Sequence, residues 1–344
     1  MSTFLITGGC GFVGSNLTNS LISDGHTVVA FDNLHRSGAE RNLKWLQSLN
    51  NEHFIYVNGD VTKPEDCINV LKKYSFDAVY HFAGQVAVTT SVDNPREDFN
   101  INAFGTFNML EAVRLSGKKI PFFITSTNKV YGEMTHINVV EHNGCWDYEN
   151  LPYGAGEDQP LDFHSPYGCS KGTADQYVRD YGRIYDIPTV VFRMSCQFGP
   201  RQFGNEDQGW VAHFVIAASK GNDINIYGDG KQVRDILYIE DLVRAFRMAY
   251  TSIDKTKGQI FNIGGGRNNV ISLLELIEII EKLTGRKINV KYGDWRPGDQ
   301  KVYISDIRKA ERVFGWKPQN DKLQGVTKLF YWVKENHQLF NERS

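Results

Sequence analysis

Eight residues near the N-terminus do most to limit what this chain can become. Thr7-Gly8-Gly9-Cys10-Gly11-Phe12-Val13-Gly14 follows a short apolar run at once and leads directly into an amphipathic stretch. Such a turn suits the first strand-to-helix crossover of an open parallel sheet. Gly8 allows a tight turn, Gly11 lets backbone approach a pyrophosphate, and Gly14 permits close helix–strand packing. The free N–H groups opening the helix, with their positive dipole, then point at the phosphates. The spacing is Gly-x-x-Gly-x-x-Gly rather than Gly-x-Gly-x-x-Gly. The turn gains weight from Asp32, 18 residues past Gly14 at the end of the second apolar run.

The same rhythm continues through the first half. Phe4–Thr7, Thr27–Phe31, Phe54–Val57, Ala78–Phe82, Phe122–Ser126 and Thr189–Arg193 read as buried parallel strands. Helical patterns lie between them near 12–23, 64–74, 95–116 and 166–186. Alternation of this kind predicts a doubly wound parallel α/β sheet with right-handed crossovers. Residues 133–164, rich in Gly, Pro, Asn and acidic side chains, break the rhythm and read as a functional loop. Further on, Ser272-Leu-Leu-Glu275 has the form of a capping box. It would open a helix carrying Leu273, Leu276, Ile277, Ile280 and Leu283 on one face and ending at Gly285. We therefore expect a cofactor domain over 1–195 and a smaller C-terminal α/β substrate lobe over 196–344, with the chain crossing back to the first domain.

Composition excludes several classes. With 38 Lys+Arg against 40 Asp+Glu, a net charge of -2 argues against a basic nucleic-acid-binding surface. The five cysteines (Cys10, Cys67, Cys145, Cys169, Cys196) are scattered without a Cys-x-x-Cys pair, so neither a disulfide framework nor a metal site is expected. Phe4-Leu5-Ile6 is too short an apolar run for a signal peptide, and no run approaches a membrane span. A soluble cytoplasmic protein is the expectation.

Candidate site residues cluster at the predicted strand ends, where ligands of open α/β sheets bind. Gly8, Gly11, Phe12 and Val13 form the turn, Asp32 and Asn33 end the second strand, and Asp60 and Val61 follow the third. Phe82, Ala83, Gly84 and Gln85 end the fourth. Asp32 suits adenosine ribose hydroxyls and would repel a 2′-phosphate, which favours NAD over NADP. Arg36 is the counter-signal, read as a solvated loop arginine. Asp60 is open between an adenine contact and a turn aspartate capping the next helix. Tyr167-Gly-Cys-Ser-Lys171 places Tyr and Lys on one helix face. Beside a dinucleotide, the lysine would stabilise a phenolate and make Tyr167 a general base. Thr127, in Ile124-Thr-Ser-Thr-Asn-Lys-Val-Tyr-Gly132, could hydrogen-bond a substrate hydroxyl or ketone.

These blocks together resemble the extended short-chain dehydrogenases/reductases, in their nucleotide-sugar epimerase/dehydratase branch. The likeness runs from Gly8 to Phe314-Gly-Trp-Lys-Pro318. More narrowly, His81–Ser91, Ser126–Gly132, Asp162–Gly172 and Asp207-Gln-Gly-Trp210 are similar to the CDP-tyvelose (CDP-paratose) 2-epimerase subgroup. The resemblance implies a Rossmann-type fold, bound NAD, a CDP-linked sugar substrate, and a homodimer or homotetramer pairing through the 95–116 and 166–186 helices. It implies Thr127, Tyr167 and Lys171 as the catalytic set and Asn102 as a residue holding it together. Gln85, Thr127, Asn128, Lys129, His164, Arg201, Arg234 and Arg296 are the implied substrate contacts, with the two last on the diphosphate. A 4,6-dehydratase of this branch needs an Asp-Glu pair beside the threonine; Asn128-Lys129 stands there instead. The resemblance also places 197–202 against the substrate. The acidic 133–164 stretch is a candidate wall of the site, and Gly264–Gly266 a loop beside the substrate.

Overall fold

The computed structural model describes residues 1–296 and 299–340. Pro297 and Gly298, inside the Arg296–Asp299 motif, lie outside the described residues.

Seven strands make the central sheet: β1 (Thr3–Thr7), β2 (Thr27–Asp32), β3 (Phe54–Asn58), β4 (Ala78–His81), β5 (Phe122–Thr127), β6 (Thr189–Met194) and β7 (Gln259–Ile263). Their spatial order is β7-β6-β5-β4-β1-β2-β3, and every neighbouring pair is parallel. The near-continuous apolar strands follow from burial on both faces. Leu17, Leu21 and Phe246 cover one face, while Leu110, Val113, Ala174 and Val178 cover the other. The order reverses between β1 and β4, and at that switch point a crevice opens outside the carboxyl ends of the strands. The six strands read from the sequence are all present. The seventh comes from far down the chain and pairs in register with β6, Phe192 opposite Phe261.

The helices of the first half depart from expectation in three places, one of them the added short helix Val88–Asp93. The 95–116 pattern divides into Pro95–Phe99, a π-helical turn Asn100–Phe104, and Gly105–Leu115. Asn94 starts the first piece by accepting from the Glu97 N–H, with Pro95 at the first position, where a missing N–H is no loss. A further helix, Ala39–Ser48, follows β2.

The C-terminal helix Leu273–Thr284 ends on Gly285 at φ 68° as expected, but its capping box is only half formed. Ser272 Oγ accepts from the Glu275 N–H at 3.1 Å, whereas the Glu275 carboxylate pairs with Lys322. A complete box stands instead at Asp321 and Gln324.

Residues 133–164 are not a free loop. They hold an antiparallel hairpin, Val139–His142 with Cys145–Tyr148, laid against a smaller sheet in which strand Val233–Tyr238 pairs with Val270–Ser272 and Val302–Tyr303. Trp146 N–H donates to the Lys231 carbonyl at 3.1 Å and Tyr148 OH to the Val302 carbonyl at 3.2 Å. Gly264 and Gly265 press on strand Val233–Tyr238, where an added Cβ would meet Asp235 Oδ2 and the Ile236 carbonyl, both at 2.2 Å. These glycines exist for that close approach. Among the described residues, no helix is long and apolar enough to cross a membrane.

Candidate active site

At the switch point the strand ends and residues from the C-terminal part of the chain enclose a cleft of about 530 Å³. The glycine turn forms its floor. A Cβ at Gly14 would lie 2.1 Å from the Gly8 carbonyl oxygen, and one at Gly8, which has φ 66°, would lie 2.7 Å from Ala83 N. Both glycines are therefore demanded by packing. Gly11 is different, because a Cβ there would meet protein only at Gly8 O, 3.2 Å away, and would otherwise fill the cleft. Helix Phe12–Ser23 opens at this point with no side chain capping its first amides. The turn is thus shaped to receive an anion, and the cradle fits a dinucleotide pyrophosphate.

Asp32 grips the turn from β2. Its Oδ2 accepts from the Cys10 N–H at 2.9 Å and its Oδ1 from Leu34 N–H at 2.8 Å, and burial pushes its carboxyl above the usual range. Asp60 accepts from Thr62 N–H and Oγ1, both at 2.8 Å, and from Asn33 Nδ2 at 3.2 Å. It makes a turn and does not cap the next helix, whose N-cap is Lys63. Asn33, Val61, Phe82, Ala83 and Gly84 line the same cleft.

Arg36 is an exposed loop arginine, as expected, but it is not idle. It lines the cleft and donates to Gln208 Oε1 on the facing lobe, so it bridges the mouth, and its charge reaches Tyr167.

Tyr167 and Lys171 stand on helix Ser165–Tyr185, facing Thr127 at the end of β5. Tyr167 hydrogen-bonds Thr127, an interaction that favours the phenolate, yet burial outweighs it and pushes the phenol up to about 12. Lys171 is buried and therefore pushed down to about 8. Its Nζ donates to the Thr125 carbonyl at 2.5 Å. The expected Lys171 stabilisation of the phenolate is not among the interactions of Tyr167 in the protein alone; Thr127 and Arg36 favour the anion, while Asp98 opposes it.

Asn102 occupies the π-helical turn, a local geometry frequent at functional sites. Its Oδ1 accepts from the Gln85 N–H at 3.0 Å, and its Nδ2 donates to Asp98 Oδ1 at 3.0 Å and to Ser170 Oγ at 3.1 Å. Ser170 in turn donates to Asp98. This buried network ties the end of β4 to the Tyr167 helix.

Asn128, Lys129, Arg234 and Arg296 also line the cleft. Thr127 Oγ1 donates to Asn128 Oδ1 at 3.3 Å. Burial lowers the Lys129 ammonium to about 8, helped by the nearby Arg234 charge. Arg296 stacks over Tyr227 with its guanidinium carbon 3.8 Å from the ring centroid, and lies 3.5 Å from Asp207.

Three expected substrate contacts do not face the cleft. Arg201 lies over the Trp45 ring at 4.0 Å and near Trp332 at 5.6 Å; this stacking draws it away from the ligand side. His164 pairs with Glu133 at 3.6 Å, outside the cleft wall. The Gln85 side chain turns back on its own backbone, donating to the Ala87 carbonyl at 2.7 Å. The 133–164 stretch contributes no lining residue, because its hairpin is held by the smaller sheet. Gly264–Gly266 likewise pack away from the cleft. From the 197–202 segment, Gln197 and Gln202 do line it.

Sequence reasoning missed Asp98 and Ser170, although Asp98 sits four residues before Asn102. It gave no role to Gln208 within the Asp207–Trp210 block, and it missed Glu206, Asn225 and Tyr227, which carry no local signature and meet the cleft only through lobe packing.

The GDP-mannose 4,6 dehydratase family model matches residues 5–329. A CDP-paratose 2-epimerase from Salmonella typhi is 45% identical over 334 residues, covering 96% of this chain and 98% of that protein. The UDP-glucose 4-epimerase of Thermotoga maritima, solved with UDP-glucose, superposes with a TM-score of 0.85 at 29% identity, over 97% of this chain and 99% of that one. The UDP-glucuronic acid 4-epimerase of Bacillus cereus, in complex with UDP-glucuronic acid and NAD, gives 0.83 at 27% identity, over 97% and 99%. Matched along nearly its whole length, with the glycine turn and the Tyr167–Lys171 helix meeting at one cleft, this chain belongs to the GDP-mannose 4,6 dehydratase family of extended short-chain dehydrogenases/reductases.

Proposed function

We propose that the protein is an NAD-dependent epimerase acting at C2 of a CDP-linked deoxyhexose, of the CDP-paratose to CDP-tyvelose type. The observation that carries this reading is the set Thr127–Tyr167–Lys171 beside a dinucleotide-shaped glycine turn, with Asn128 and Lys129 where a dehydratase needs carboxylates. The 45% identity to a CDP-paratose 2-epimerase supports the same choice.

Gly8, Gly11, Phe12 and Val13 would hold the NAD pyrophosphate, and Asp32, Asn33 and Asp60 the adenosine end. NAD held there would supply reversible hydride transfer at the sugar carbon. Tyr167 takes the proton of the C2 hydroxyl as it is oxidised and gives it back on reduction. Thr127 holds the reacting oxygen. Lys171, one helical turn away, would favour the Tyr167 phenolate once the ligands are bound, an interaction absent from the protein alone, and Asn102 keeps that helix in place. Arg234 and Arg296 clamp the diphosphate, a task suited to the planar guanidinium fork. Residues 1–195 would then serve mainly the cofactor and 196–344 mainly the substrate.

The exposed apolar residues Phe99, Phe104, Tyr177 and Ile184 on neighbouring helices support pairing with a second copy. Five free cysteines and NAD chemistry suit the cytoplasm.

The decisive experiment incubates the purified protein and NAD with CDP-paratose and, separately, with UDP-glucose, and follows both by NMR. Inversion at C2 of the CDP sugar is expected. Inversion at C4 with C2 unchanged would replace this reading by a 4-epimerase.

A further inference from the structure

Glu206 stands on the cleft wall inside a small polar cluster drawn from separate parts of the chain. Its Oε1 accepts from Asn225 Nδ2 at 3.0 Å and from Tyr227 OH at 2.8 Å, both on strand Ile224–Tyr227. These donors hold the carboxyl below the usual range. Arg296 stacks on the same Tyr227 ring and donates to the Glu206 carbonyl at 3.2 Å. Both donors fall on one carboxylate oxygen, and Oε2 has no hydrogen-bond partner among the described residues.

This inference rests on the nucleotide-sugar reading above. Arg234 and Arg296 then take the diphosphate, and a fixed anion beside them must be matched by neutral donors from the nucleoside. The pyrimidines differ along one edge, where cytosine sets an N4 donor beside an N3 acceptor and uracil or thymine the reverse. Cytosine carries an N4 amine, a donor, where uracil and thymine carry an O4 acceptor. Glu206 is exposed at the cleft mouth, and its carboxylate rewards the amine and repels the carbonyl, because the mismatch leaves two acceptors facing each other.

We propose that Glu206, set by Asn225 and Tyr227, selects the nucleobase by accepting from the exocyclic amine of cytosine, making this a CDP-sugar rather than a UDP-sugar site. Glu206 is thus a specificity residue and takes no part in the proton or hydride transfers.

The arrangement makes the Glu206→Gln variant informative. Asn225 and Tyr227 both donate, so they hold the amide oxygen of the new side chain at the Oε1 place. Its NH₂ then occupies the Oε2 place and presents donors, which suit uracil O4 and oppose the cytosine amine. Removing the charge strengthens every diphosphate alike, so the ratio between nucleotides is the quantity to read.

Titration calorimetry with CDP, UDP, GDP and 2′-deoxy-CDP, on the NAD-loaded protein and on E206Q and E206A, tests this. Wild type should bind CDP at least about tenfold tighter than UDP. E206Q should reverse the order, and E206A should bring the two within about threefold. An unchanged ratio in E206Q overturns the proposal, as does GDP binding tighter than CDP. An effect of E206Q that vanishes with 2′-deoxy-CDP also overturns it, because Glu206 would then read the ribose. If wild type binds none of the four, the nucleotide-sugar reading itself falls, and this proposal with it. Matching thermal melts for all three proteins exclude misfolding as the cause.

Discussion

Arg193 on β6 and Asp175 on the Tyr167 helix form a two-pronged ion pair, with Nε to Oδ2 at 2.9 Å and Nη2 to Oδ1 at 3.0 Å. Both are fully buried. Ser126, next to Thr127, donates to the same carboxylate at 2.8 Å, and Arg193 Nη1 contacts Tyr131 OH at 3.2 Å. One salt bridge therefore fixes the spacing between the helix bearing Tyr167 and Lys171 and the strand bearing Thr127. Replacing Arg193 by Met should leave Asp175 charged and unpaired, at about 3–5 kcal/mol of stability. Urea denaturation measures this. A loss below about 1 kcal/mol would mean that Asp175 is neutral or solvated in the variant.

The glycines of the turn should separate by role. Gly14→Ala places a Cβ 2.1 Å from the Gly8 carbonyl oxygen, so the fold must shift and the melting temperature should drop by several degrees. Gly11→Ala meets only Gly8 O, at 3.2 Å, and should keep most of the stability while weakening NAD binding by about tenfold or more. Differential scanning fluorimetry with and without NAD reads both effects. Equal NAD affinity in G11A and wild type would remove the turn from the cofactor site.

Tyr167→Phe deletes the proposed proton carrier and keeps the ring. Turnover should fall by about 10²–10⁴-fold, and Thr127→Ala by less, while nucleotide affinity stays within about threefold. Product NMR and calorimetry on the same preparations supply both numbers. Activity in Y167F near that of wild type would reassign the base.

Lys129 gives a pH signature. Its ammonium is lowered to about 8 by burial first and then by the Arg234 charge, against 10.5 for a free lysine. The neutral form is favoured in the folded protein, so between about 8 and 10.5 the unfolded chain binds more protons and this group makes stability rise with pH. A bound diphosphate acts oppositely by favouring the charged form. Nucleotide binding should take up protons near pH 8, and affinity should fall as pH rises through it. Calorimetry in buffers of different ionisation heat detects the uptake, and Lys129→Met should abolish it. Uptake persisting in K129M would point to Lys171, also held near 8.

Arg201→Ala should act on stability and spare the substrate. It loses stacking on Trp45 and Trp332, an effect of about 0.5–2 kcal/mol, with KM unchanged. A KM increase without a change in melting temperature would return Arg201 to the cleft.

Much of this architecture could be read from one-dimensional pattern. Buried parallel strands are short and apolar throughout, and each strand-to-helix turn has a local chemistry, so the six strands, the glycine turn and Asp32 were legible in order. The Tyr167–Lys171 spacing was equally legible, because one helical turn separates the two positions. The π-helical interruption at Asn100–Phe104 was not. It inserts one extra residue into a helix whose apolar periodicity looks continuous, and the register shift delivers Asn102 to Gln85, Asp98 and Ser170. The 133–164 stretch misled for a related reason. Polar composition signals exposure, and its hairpin is indeed largely exposed on one side, yet backbone hydrogen bonds to Lys231 and Ile304 take it away from the cleft.

By itself, then, the amino-acid order determined a doubly wound sheet, where its crevice opens, and which strand-end and glycine-turn residues line it, since each depends on contacts within one strand–turn–helix unit. Only the tertiary structure decided which distant side chains share that crevice. Arg36 meets Gln208, Arg193 meets Asp175, Glu206 meets Asn225 and Tyr227, and Arg201 goes to two tryptophans instead of the ligand. Charge and size alone cannot rank such pairings, because an arginine is satisfied equally by a phosphate, a carboxylate or an aromatic face. The packing of the lobes supplies the partner, and the partner settles the role.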